Sequence, residues 1–332
     1  MAEYKGVLVC GEAVEGKLAA ISLELLGGGR KLASELGEEL AAVLIGSEIK
    51  GLAQETIAHG ADKAYIVDNP LLKDYQSDSY LAAMEKVINQ VMPKILILGQ
   101  TSMGRDLAPR LAFRLKTGLA MDCIELSIEP QTKLLLQTRP VYGGNARAIF
   151  QTSGQPQIAT VRPKAMSALE PDSSRQGEVV AIEAGIDASI MRTKVVDKVK
   201  EEVAGVKLED AEVVVCGGRG IGGPEGFQDL EELAKCLKGA TGATRPPCDN
   251  GWVPSSLQVG LTGKIVTPEL YIAVALSGSS QHMAGCSGAK NIIAINKDPE
   301  ANIFKEARLG MVGDWKQALP AFAAKVKELL AG

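Results

Sequence analysis

The sequence predicts an α/β protein built from two doubly wound, mostly parallel sheets, the second a Rossmann-like domain. Three observations carry that prediction. Short apolar runs alternate with segments whose apolar residues recur every three or four positions, and such strand–helix–strand alternation gives a parallel sheet with helices on both faces. The alternation breaks over residues 193–210, a stretch rich in Lys, Glu and Val with no helical face, and then resumes. The length, 332 residues, suits two domains rather than one.

In the first half, 7–10, 41–45, 64–67 and 95–98 read as strands. Helical patterns over 18–36, 53–59 and 80–91 separate them. Beyond residue 124 the texture changes. Segments 134–138, 146–152 and 158–161 are strand-like with turns between them, so the first domain is expected to end in antiparallel additions. In the second half the expected order is strand 213–216, helix 225–237, strands 271–276 and 292–295, a short helix near 303–308 and a terminal helix over 315–330. The domains are then expected at 1–200 and 206–332.

Composition removes several classes of function. Acidic residues number 40 and basic residues 36, a net charge of −4, which leaves no electrostatic footprint for nucleic acid or anionic lipid. The six cysteines contain no Cys-x-x-Cys pair, and the only histidines are His59 and His282, so neither a disulfide scaffold nor a histidine-based metal cluster is expected. The chain opens directly on a strand-like run, and no apolar stretch is long enough to span a bilayer. A cytoplasmic protein with reduced thiols is expected.

Two segments concentrate the chemistry. After strand 213–216, Gly218, Gly220 and Gly223 satisfy G-x-G-x-x-G spacing in a strand–turn–helix context, which lets backbone N–H groups approach a phosphate. A turn needed only for packing is the competing explanation; Arg219 inside the turn favours a bound anion. No strand with a ribose-binding acid is read some twenty residues later, where Ala243-Thr244-Arg245-Pro246-Pro247 stands instead. The second segment is the buried strand ending in Ser277-Gly278-Ser279-Ser280-Gln281-His282. Ligands of open α/β sheets sit beyond such strand ends. A nucleophile elbow is a poor fit because the second glycine is missing. A lone histidine after a strand is more often a satisfied structural residue than a functional one. Gln281 beside it, and Asn296 at the end of the next strand, point to a polar-headed cofactor. After strand 95–98, Thr101 or Ser102 reads as a helix cap before it reads as an anion cup.

These segments, with Val259-Gly260-Leu261-Thr262-Gly263-Lys264 between them and Gly104-Arg105-Asp106-Leu107, Tyr142-Gly143-Gly144-Asn145 and Thr160-Val161-Arg162-Pro163 in the first half, resemble the alpha subunit of electron-transfer flavoproteins along nearly the whole chain. The resemblance implies an FAD-carrying subunit paired with a beta subunit, its first domain packed on that partner. Carried over position by position, Arg219 lies against FAD, and Thr244 and Arg245 reach the pyrophosphate and isoalloxazine region. Gln258, Val259, Gly260, Leu261 and Thr262 form the loop near flavin N5, with Thr262 the donor. Ser277, Gly278, Ser279, Ser280 and Gln281 take the ribityl–phosphate part, and His282 approaches the flavin C2 carbonyl. Asn296, Asp314 and Trp315 complete the cofactor-binding set toward the AMP end.

The implied function is passage of single electrons between dehydrogenases, such as acyl-CoA dehydrogenases, and other carriers such as ferredoxin, flavodoxin or a quinone reductase. A positive or hydrogen-bonding group at the pyrimidine edge, His282 with Arg245 nearby, would stabilise added negative charge and raise the potential. Leu261 stands where many relatives have Gln, and Ser279 and Ser280 make their loop more polar. With Gly242–Pro246, the Leu261 difference resembles the electron-bifurcating branch, in which NADH delivers hydride to a second flavin on the partner. Two other readings stay open at this level: an NADP-dependent oxidoreductase with Arg245 on the 2′-phosphate, and a non-redox nucleotide-binding assembly subunit.

Overall fold

A computed structural model describes residues 3–144, 146–183, 185–198 and 206–331. The chain forms two compact units, one of Met1–Val141 with Arg147–Lys198 and one of Tyr142–Ala146 with Val199–Gly332. Residues 199–205 of the expected boundary stretch lie outside the described residues.

In the first unit the strands are β1 (Val7–Gly11), β2 (Leu40–Gly46), β3 (Lys63–Asp68), β4 (Ile95–Gly99), β5 (Leu119–Cys123), β6 (Glu125–Ile128), β7 (Leu135–Val141), β8 (Ala146–Phe150), β9 (Gln157–Val161) and β10 (Glu178–Ala181). Seven of them form one sheet in the order β10-β3-β2-β1-β4-β9-β5, with every pairing parallel. Its helices are α1 (Ala20–Leu36), α2 (Ala53–Ala58), α3 (Ser77–Val91) and α4 (Ser102–Leu115). Alternation along β1 sends Val7 and Val9 to one face, where Leu25, Leu26 and Leu32 of α1 cover them. Leu8 and Cys10 point to the other, against Met84 and Val87 of α3 and Leu107 and Leu111 of α4.

The expected antiparallel additions are half right. β6, β7 and β8 form a separate sheet in which β6 and β7 run antiparallel. β9 instead enters the parallel sheet between β4 and β5, because all five of its residues are buried and only a position covered on both faces suits them. Thr101 caps α4, its Oγ1 accepting from Gly104 N at 3.1 Å, and so has the structural role expected of it.

The second unit adds β11 (Val213–Gly217), β12 (Ala240–Ala243), β13 (Leu270–Val274), β14 (Asn291–Asn296) and β15 (Leu309–Val312), parallel in the order β12-β11-β13-β14-β15. Its helices are α5 (Glu225–Cys236), α6 (Arg245–Asp249), α7 (Ser280–Cys286), α8 (Ile303–Glu306) and α9 (Trp315–Ala331). Val215, Ile272 and Val274 meet α5 and α9 through Leu230, Leu233 and Leu319. Val214, Tyr271 and Ala273 meet α7 through Met283 and Cys286 on the opposite face. The chain steps from β11 outward to β12 and returns past β11 to β13. Strand order therefore reverses between β11 and β13, the point at which an open sheet offers a ligand crevice.

Candidate functional site

At that reversal the two strand ends are laced together. Gly218 N donates to Val274 O at 2.9 Å and Gly220 N to Ala275 O at 3.1 Å. A Cβ on Gly218 would stand 2.4 Å from Ala275 O, and one on Gly220 would stand 2.8 Å from it. The first two glycines of the G-x-G-x-x-G run are therefore required by the close approach of β11 and β13. Packing, the competing explanation for the motif, accounts for them; Arg219 between them is left exposed at the turn. Ala275 holds a φ of +52°, a left-handed conformation uncommon for a residue with a Cβ, directly at the strand end.

The turn and the strand ends enclose a cleft of about 430 Å³, within the usual range for a small-molecule site. Of the residues expected at a cofactor, Arg219, Thr244, Ser277, Gly278, Ser279, His282 and Asn296 line it. Gly278 has a φ of +72° and lies so close to Ile303 that a Cβ would meet its backbone N at 2.5 Å, so the loop can turn there only as glycine. Asn296 closes the floor: its Nδ2 donates to Leu276 O at 2.8 Å and its Oδ1 accepts from Asp298 N at 3.0 Å. Gly220 of the glycine run lines it too, and so do Pro246, Ala275, Leu276, Asp298 and Ala301, which the sequence did not single out as site residues. Their signal was positional, since each lies at or just beyond a strand end.

His282 lines the cleft but is 5% exposed, and both ring nitrogens have partners. Nε2 is 2.9 Å from the Tyr271 hydroxyl and Nδ1 is 3.1 Å from Val259 O. Burial pushes its pKa down to about 4, against a weaker opposing pull from the Val259 carbonyl. The expected positive or hydrogen-bonding group is, in the folded chain, a neutral hydrogen-bonding ring engaged at both nitrogens by protein groups.

The remaining expected residues stand around the cleft rather than lining it. Arg245 opens α6 and is exposed, with Nε 3.1 Å from Asp249 Oδ2. In the 258–262 loop, Gln258 Nε2 donates to Thr262 Oγ1 at 2.9 Å, Leu261 N donates to Gln281 O at 2.7 Å, and Gly260 packs on the Gln281 carbonyl. Leu261 is 56% exposed, Gln281 is exposed, and Ser280 begins α7. Asp314 directly precedes α9, its Oδ1 accepting from Lys316 N at 3.0 Å. Trp315 is buried beneath the glycine turn, its Nε1 donating to Gly220 O at 3.2 Å, which makes it a support of the turn. A short strand, β12, does precede Thr244, contrary to the sequence reading, and it ends without an acidic residue.

The lining combines one guanidinium with the hydroxyls of Thr244, Ser277 and Ser279, and one carboxylate, Asp298, whose Oδ1 already accepts from Glu300 N. That set suits a phosphate-bearing, hydroxyl-rich ligand, with Arg219 supplying the positive charge of the lining. Among the described residues no group of His, Cys, Asp and Glu could hold a metal ion, and no helix is long and apolar enough to cross a membrane.

Comparison with known proteins agrees with this chemistry. Residues 7–187 match the electron transfer flavoprotein domain and residues 207–287 the electron transfer flavoprotein FAD-binding domain. The chain is 45% identical over 330 residues to the electron transfer flavoprotein subunit alpha of Thermoanaerobacterium thermosaccharolyticum, covering 99% of this chain and 100% of that protein. It is 42% identical over 325 residues to the subunit alpha of Bacillus subtilis, covering 98% of each. Protein FixB of Clostridium saccharobutylicum is 42% identical over 332 residues, covering 100% of this chain and 99% of the other. With both halves matched and these relatives aligned end to end, the chain belongs to the electron transfer flavoprotein alpha-subunit family, with FAD as its cofactor and the FAD-binding domain in its second unit.

Proposed function

We propose that this chain pairs with a beta subunit through its first unit, holds FAD in the β11–β13 cleft, and passes single electrons between dehydrogenases and other redox carriers. FAD, when bound, supplies the one-electron chemistry; the protein's part is to bind, orient and tune it. Arg219 offsets phosphate charge, and the hydroxyls of Ser277, Ser279 and Thr244 offer hydrogen bonds along the cleft wall. The buried strand ends beneath exclude water.

The single observation that carries the proposal is the state of the one histidine in the cleft. His282 is neutral and bonded at both nitrogens. The other charged groups of the lining are Arg219 and Asp298. With both nitrogens engaged, His282 is not free to take a proton from a substrate carbon, which suits an electron carrier.

The test is to purify the chain with its beta subunit, record the visible spectrum, and titrate with NADH. A yellow complex holding one flavin, silent to NADH, is the simple carrier proposed here. A complex with two flavins that oxidises NADH is the bifurcating form, a second reading that rests on Leu261 standing where many relatives have Gln. A colourless complex that binds NADPH would overturn both.

A further inference from the structure

We propose that Tyr271, a residue that does not line the cleft, is its positioning residue: the tyrosine hydroxyl donates to His282 Nε2 and holds the imidazole as the Nδ1-protonated tautomer. The assignment follows from hydrogen-bond directions. Val259 O can only accept, so the proton facing it at 3.1 Å sits on Nδ1. A neutral ring protonated at Nδ1 carries a lone pair on Nε2, and the hydroxyl 2.9 Å away must then point its hydrogen at that nitrogen.

Behind the phenol stand the thiols of Cys216 and Cys286, both of which interact with the Tyr271 hydroxyl, while the Cys286 thiol itself donates to His282 O at 3.7 Å. Tyr271, Cys216 and Cys286 are 0% exposed, so water does not compete for any of these bonds. The result is one directed chain of donors, from phenol to imidazole to the Val259 carbonyl. It ties β13, α7 and the 258–262 loop to a single ring orientation. Placing a second proton on the imidazole would force the Tyr271 hydrogen around toward a sulfur, which is a weak acceptor. The dipole that the cleft meets at His282 is thereby fixed from behind, by a side chain that never touches a ligand.

The first part of the test needs no flavin. The chain has only two histidines, so 15N-histidine labelling of the full chain with its beta subunit gives two imidazoles, and His59→Gln identifies the second. At neutral pH, His282 should show a protonated Nδ1 and an unprotonated Nε2 shifted by an accepted hydrogen bond. In Tyr271→Phe the Nε2 resonance should move to the value of an unbonded nitrogen. A proton on Nε2 in the wild type, or an Nε2 resonance unmoved by Tyr271→Phe, would overturn the proposal. Should the variant fail to fold, the wild-type spectrum still decides the tautomer.

The second part rests on the FAD reading above. Tyr271→Phe should shift the first one-electron flavin potential, and the shift should vanish in a His282→Gln background, as expected of a residue acting through the imidazole. Equal shifts in both backgrounds would refute that route. A complex without flavin would sink the proposed function and leave the tautomer result standing.

Discussion

Acid is the perturbation that probes the buried imidazole of His282 most directly. The folded chain holds it at about 4, whereas an unfolded histidine titrates near 6.5. Between those values only the unfolded chain takes up the proton, so stability that is complete above about pH 6.5 is lost as the pH falls toward 4. At 1.36 kcal/mol for each factor of ten, the loss between pH 7 and about pH 4.5 comes to about 2.5 kcal/mol. Both tryptophans, Trp252 and Trp315, belong to the second unit, so fluorescence-monitored urea unfolding reports that unit alone. The comparison is with His282→Gln, which keeps a hydrogen-bonding side chain and cannot titrate. Carboxylates common to both proteins cancel, and the wild type should lose about 2.5 kcal/mol more than the variant over this window. Parallel losses would show that the imidazole is already charged in the fold, and the argument for a neutral ring would fail.

The same fluorescence reads three further outcomes. Gly218→Ala should cost about 1–3 kcal/mol, because its Cβ would stand 2.4 Å from Ala275 O and 2.5 Å from Leu276 Cα. Gly222→Ala, at a φ of +93° with nothing within 4 Å, should cost about 1 kcal/mol from backbone strain alone; the reverse order would remove close packing as the reason for the motif. Trp315→Phe deletes the donor to Gly220 O and should cost about 1 kcal/mol, with no change expected if the turn holds itself. In the first unit, Arg162→Ala strips the bidentate partner from Asp122, whose side chain is 18% exposed, and should cost about 3–5 kcal/mol. A loss under about 1 kcal/mol by far-ultraviolet dichroism would place that pair among solvated ones.

The elements with sustained apolar periodicity were legible in the sequence, and those set by tertiary contact were not. β1, β2, β3 and β4 appear as bare apolar runs because helices cover both faces of their sheet. β12, Ala240-Thr241-Gly242-Ala243, carries no such run and is a strand only because β11 pairs with it. β15 is exposed along its length and escapes notice for the same reason. At the site, the ends of β11 and β13 were readable, so Arg219 and the 277–279 loop were found, whereas Thr244, after the unread β12, came in only with the family resemblance. The partners of His282 were not, since Tyr271 and Val259 lie in different elements and only the folded chain brings them to the ring. The glycine spacing after β11 suggested phosphate contact, but it reports equally the approach of one strand end to another, and sequence alone does not separate the two.

The most direct test of the central claim, that FAD lies at the β11–β13 strand ends, is amide hydrogen exchange of the heterodimer with and without added FAD. Loading should slow exchange at Gly218–Gly220 and at Ala275–Ser279 while leaving the matching strand ends of the first unit, around Glu12 and Thr101, unchanged. Protection at Glu12 and Thr101 with none at the second-unit loops would contradict it.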